Sequence, residues 1–143
     1  KDTEELMEQY PFVYGAFGIH PDDAEKMTEK TLEEIRQLSR LPKAVAIGEI
    51  GLDYYWHKEE HEHEIQKKMF LAQMEIAREE KLPFMVHSRD AAKDTLDLVK
   101  DCMKGGMYGG IVFLMEKKWQ ENIWTWDCIW ESVVLSHLKM RRN

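Results

Sequence analysis

The chain has 143 residues, of which 43% are hydrophobic, and a formal net charge of −7. That length suffices for one ordinary domain. The acidic balance argues against a broad basic face that grips nucleic acid by counterion release, and every apolar run falls far short of the roughly 20 residues that cross a bilayer. Cys102 and Cys128 are too few and too unpatterned for a disulfide framework or a zinc site, which fits a reducing, cytoplasmic compartment. The chain opens at Lys1 with nothing resembling a signal peptide.

In chain order, Lys1 to Tyr10 reads as the end of a helix, with Leu6 as its apolar anchor and Pro11 as its stop. Phe12 to Ile19 reads as a strand. Asp22 to Leu41 holds an amphipathic helix in which Thr31 and Glu34 make a capping box and Leu32, Ile35 and Leu38 share a face. Ala44 to Ile47, bounded by Pro42 and Gly48, reads as a strand buried on both faces. A loop from Tyr54 to Glu60 leads into a long helix from about His61 to Lys81, with Ile65, Met69, Ala72 and Ile76 at helical spacing. A strand at Phe84 to Val86 follows, then a helix from about Ala91 to Met103 with Leu96, Val99 and Met103 inward. Gly105 and Gly106 end that helix, and a further strand begins at Gly109.

The functional signal lies at the strand ends. Glu49 follows a buried strand between Gly48 and Gly51, a costly place for a carboxylate unless it meets a cation or a donor. The run Phe84 to Val86 ends in His87, Ser88, Arg89 and Asp90, and the run before it, Phe12 to Ile19, is closed by His20, Pro21, Asp22 and Asp23. Taken singly, such residues are ordinary caps or ion pairs. Together, three strands deliver a His or a Glu at their carboxyl ends, and in a parallel α/β protein those ends share the rim where chemistry is done. His57, His61 and His63 are read instead as a solvated first helical turn, because they lack the spacing that sets two imidazoles on one face.

These residues resemble a known family. Gly-Ile-His-Pro at 18–21, Gly-Glu-Ile-Gly-Leu-Asp at 48–53 and Val-His-Ser-Arg-Asp-Ala at 86–91 are similar in order and spacing to the signatures of the TatD-like metal-dependent deoxyribonucleases. Gln66, Phe70, Gln73, Ala77, Leu82 and Pro83 match the same pattern, and the likeness covers Tyr10 to about Val112. The resemblance implies an α/β fold of the (β/α)8 TIM-barrel kind with two divalent metal ions (Mg, Mn or Zn) that hydrolyse phosphodiester bonds of DNA. It implies that Glu49 and His87 bind metal and carry catalysis, Glu49 bridging the ions, and that His20, Arg89 and Asp53 bind substrate. Metal charge at the phosphate reconciles an acidic chain with a nuclease.

A complete barrel needs about 250 residues, so the chain is expected to be a partial one: about three complete strand-helix units plus the start of a further strand, residues 1–112. The family's first-strand His-x-His pair and final-strand Asp then lie outside the sequence, and Phe113 and Leu114 stand where a metal-binding His-Cys motif is expected. Residues 113–143, with Trp119, Trp124, Trp126 and Trp130 close together, follow no clean pattern. Leu135 to Asn143 can be encoded so that the frame one nucleotide earlier reads VVTFKNAKK, preceded by LGIGG from 129–134, which resembles the family's next strand. The tail is therefore expected to be out of frame, and the chain alone to have little nuclease activity. An inactive remnant whose open sheet edges drive self-association, or an amide or ester hydrolase of the same superfold, are the other readings.

Overall fold

The structure, a computed structural model, describes residues 2–104 and 111–115. Helix α1 (Asp2–Gln9) leads to strand β1 (Gly15–Phe17), a 3-10 helix (Pro21–Lys26), helix α2 (Glu29–Ser39), strand β2 (Ala44–Asp53), helix α3 (Glu60–Glu80), strand β3 (Phe84–Arg89), helix α4 (Ala92–Lys104) and strand β4 (Ile111–Met115). The strands form one parallel sheet in the order β1-β2-β3-β4. Every parallel step is bridged by helix, and the strand order never reverses. A doubly wound sheet reverses at its switch point, whereas the wall of a (β/α)8 barrel does not. The described residues are thus three strand-helix units and a fourth strand.

The core lies between this sheet and α3. Ile47, Ile50, Leu52, Phe84 and Val86 from the strands pack with Phe70, Met74, Ile76 and Ala77, and with Leu96 and Val99 of α4. Each fully buried large side chain stabilises the fold by about 1.5–3 kcal/mol. The inward line of α3 is Gln66, Phe70, Gln73 and Ala77, spaced 4, 3 and 4. Of the apolar series Ile65, Met69, Ala72 and Ile76, only Ile76 is fully buried. The apolar periodicity misplaced this face because two of its inward positions are amides.

Other boundaries also moved. Met7, not the 46% exposed Leu6, anchors α1. The stretch Asp22 to Leu41 splits in two: the His20 ring accepts from the Asp22 N–H to cap the 3-10 turn, extended Met27 ends it, and α2 starts after Thr28. The capping box is Thr28 with Thr31, at 3.2 and 3.3 Å, and not Thr31 with Glu34. Strand β2 runs on through Gly48 to Asp53, so Glu49 sits inside an irregular strand instead of after its end. The β2–β3 register shifts between Ile47 and Ile50, and the Gly48–Glu49 peptide is cis. The side chain of Met103, the glycines at 105, 106, 109 and 110, Cys128 and the tryptophan-rich stretch lie outside the described residues.

Candidate metal centre

Three adjacent strands supply the expected residues, two from within a strand and one just past a strand end. His20 follows β1, Glu49 lies in the irregular part of β2, and His87 lies in β3 beside Gly51. Gly51 permits that contact: its φ is +144°, and a Cβ there would stand 2.0 Å from the His87 carbonyl oxygen. Only glycine combines that backbone angle with so close an approach.

His87 is the hub. Its Nδ1 is 2.9 Å from Glu49 Oε1, and its Nε2 is 3.0 Å from Asp53 Oδ2. The His20 ring meets the His87 ring edge-on with centroids 4.4 Å apart. One donor atom from each of His20, Glu49 and His87 lies within 4.8 Å of the others, and this is the grouping of metal-capable side chains found among the described residues. Two imidazoles and a carboxylate form a mixed nitrogen and oxygen set suited to a borderline or hard divalent cation. A metal-bound histidine characteristically gives its other ring nitrogen to a carboxylate, which fixes the ring. The contact of His87 with Asp53 has that form, and the residues fit a cation.

The electrostatics agree. Burial pushes the His87 imidazole down, but the hydrogen bonds it donates to the Glu49 and Asp53 carboxylates outweigh it and hold it above the usual range. The His87 hydrogen bond holds the Glu49 carboxyl below its ordinary value against burial. Burial raises the Asp53 carboxyl, yet the bonds from His87 and from the Trp56 and Tyr55 N–H groups bring it below its usual value. Without a cation, the ring and the two carboxylates compensate one another.

The remaining expected residues have definite places. Asp53 is 1% exposed. One of its oxygens accepts from the Tyr55 and Trp56 N–H groups and the other faces His87, so both are engaged within the chain. Arg89 lies over the ring of Tyr55, 4.0 Å from its centroid. His57 bridges Glu62 at 3.0 Å and Asp22 at 3.3 Å, while the His63 ring stacks on Tyr54 at 3.6 Å and contacts the His57 carbonyl. Strand β4 contributes Ile, Val, Phe, Leu and Met, with Leu114 opposite His87. It therefore brings no imidazole or carboxylate to the rim.

Two residues went unrecognised as parts of the site. Gln73 Oε1 accepts from the Ile19 N–H at 2.7 Å and its Nε2 donates to the Ile19 carbonyl at 3.1 Å. Two turns earlier, Gln66 makes the same pair with the backbone of Asp53, at 2.9 and 3.3 Å. Each amide acts as a short extra strand that holds the backbone at His20 or at Asp53. The signal was present in sequence as two glutamines seven apart on the buried face.

Comparison with known proteins gives concordant results. The chain is 46% identical over 97 residues to a protein of Bacillus subtilis described as uncharacterized metal-dependent hydrolase YabD, covering 68% of this chain and 37% of that one. It is 40% identical over 97 residues to the human 3'-5' RNA nuclease TATDN2, covering 68% and 12%. It is 33% identical over 100 residues to the Escherichia coli 3'-5' ssDNA/RNA exonuclease TatD, covering 70% and 38%. The chain thus spans well under half the length of these relatives. Among solved structures, a TatD family hydrolase of Entamoeba histolytica superposes with a TM-score of 0.68 at 25% identity, over 86% of this chain and 44% of that one. The TatD homologue YJJV of Escherichia coli gives 0.61 at 26% identity, over 78% and 50%. The family model for TatD related DNases matches residues 1–132, and with the strand order and rim geometry already described, the chain belongs to that family.

Proposed function

We propose that this chain forms part of a two-ion centre that hydrolyses phosphodiester bonds of DNA, in a cytoplasmic setting. The observation that carries the reading is the convergence of donor atoms of His20, Glu49 and His87 within 4.8 Å from neighbouring parallel strands. Glu49 and His87 would hold the ions, His20 completing the set or facing the phosphate. Divalent ions at such a centre lower the pKa of water and neutralise charge developing on phosphate oxygens. The protein's own part is to fix the donors. Asp53 orients the His87 ring, Gln66 holds the backbone of Asp53, and Gln73 holds the strand end that carries His20. The names of the relatives, which cover DNA and RNA, support nucleic acid as substrate and give RNA as the second candidate.

The test grafts residues 10–104 into the Bacillus relative, which supplies the rest of the barrel. The chimera is expected to cleave labelled single-stranded DNA with added Mg, Mn or Zn and to stop on chelation, and Glu49→Gln and His87→Asn within it are expected to abolish cleavage. A folded chimera that cleaves neither DNA nor RNA with any of these ions refutes the proposal.

A further inference from the structure

Beside the metal centre two aromatic side chains that nothing above uses, Tyr55 and Trp56, stand with Arg89, which the family resemblance already sets toward substrate. Trp56 is 65% exposed and Tyr55 42% exposed, and their rings meet edge-on with centroids 4.6 Å apart. The Arg89 guanidinium lies 4.0 Å from the Tyr55 ring centroid and 5.5 Å from that of Trp56. The cluster is not a loose loop tip. The Tyr55 and Trp56 N–H groups both donate to Asp53 Oδ1, at 3.0 and 3.2 Å, and the other oxygen of that carboxylate is 3.0 Å from His87 Nε2. The Tyr54 N–H is fixed to the Arg89 carbonyl at 2.9 Å. One carboxylate thus sets the aromatic pair and the ring of the metal centre in a single frame.

We infer that Tyr55, Trp56 and Arg89 form a stacking platform for an unpaired nucleobase of a single-stranded substrate, placed next to the centre that cuts its backbone. Exposed aromatic faces interleaved with a guanidinium bind bases without sequence preference, because every base offers a π-face. The net charge of −7 leaves little electrostatic grip on phosphates, so contact with the base compensates. A duplex hides its base faces, and the platform therefore favours single strands. The inference rests on the nuclease reading and adds how the substrate is held.

The test measures binding of a fluorescent oligothymidylate and of an abasic oligonucleotide of equal length to the full chain, by anisotropy, in chelator and low salt so that nothing is cleaved. The chain is expected to prefer the oligothymidylate by about tenfold. Trp56→Ala is expected to remove most of that preference, Trp56→Phe to restore it, and neither to change the circular dichroism spectrum. Equal affinity for the two oligonucleotides, a preference that survives both Trp56→Ala and Tyr55→Ala, or no binding of either oligonucleotide overturns the inference. The two readings fail separately: a chimera that cleaves DNA while the chain binds intact and abasic strands equally sinks only the platform, and one that prefers the intact strand but never cleaves sinks only the nuclease.

Discussion

Replacing Gln73 by Leu removes one side chain and leaves two backbone groups without partners. Gln73 is 1% exposed and answers both the N–H and the C=O of Ile19, at 2.7 and 3.1 Å. Leucine has similar volume, so little cavity follows, and the change isolates the polar contacts. Each orphaned buried group costs about 1–3 kcal/mol. Ile19 is only half-buried, so the lower end applies to each group, and the total is about 2 kcal/mol. That corresponds to a roughly 30-fold fall in the ratio of folded to unfolded chain. Urea titration followed by circular dichroism would show the midpoint falling with an unchanged slope. Because Ile19 precedes His20, affinity for Mn is expected to fall as well when measured in the absence of urea, where the variant is folded. A stability loss below about 0.5 kcal/mol, the ordinary range for an indifferent surface change, would refute the claim that this amide holds the strand end.

Gly51→Ala is expected to destabilise by more than about 2 kcal/mol, since its Cβ would meet the His87 carbonyl at 2.0 Å; thermal unfolding reads the effect, and a variant as stable as the parent contradicts the close approach. For His57, the hydrogen bond to the Glu62 carboxylate and then that to Asp22 raise the imidazole against burial. A raised group contributes stability that is fully present below its unfolded pKa of about 6.5 and is lost as pH rises through its folded value. His57→Asn should therefore cost more near pH 5.5 than near pH 8.5 in urea titrations, and an equal cost at both overturns the ion-pair account. For the tail, sequencing the coding DNA is expected to show that a single-base change after the Val112 codon restores the family pattern in residues 113–143. Codons that give no such reading refute the frameshift.

The motifs disclosed most of the rim because each joins an apolar strand to a costly polar residue. His20, Glu49 and His87 stand together, with Glu49 and His87 inside their strands and His20 just past the end of β1. What sequence patterns concealed has physical causes. Periodicity counts apolar residues, so a buried face that includes Gln66 and Gln73 was assigned to Ile65 and its partners one residue away. The end of β2 was set at Gly48 because glycine ordinarily breaks a strand; here Gly48 and Gly51 instead let an irregular strand pass close to β3 and carry Glu49 in its bend. Asp53 was legible as a site residue, but its depth was not, since only the packed structure shows that His87 and two backbone N–H groups consume both its oxygens. Arg89 on Tyr55 is a contact between side chains that no spacing rule encodes.

The most direct test of the account is equilibrium dialysis of the chain and its single-site variants against Zn or Mn. The account predicts saturable binding that Glu49→Gln, His87→Asn and His20→Asn each weaken by about tenfold or more, with Asp53→Asn weakening it through the ring it orients and His61→Asn leaving it unchanged. Binding that is indifferent to Glu49, His87 and His20, or is lost only with His61, would show that these three residues do not form a cation centre.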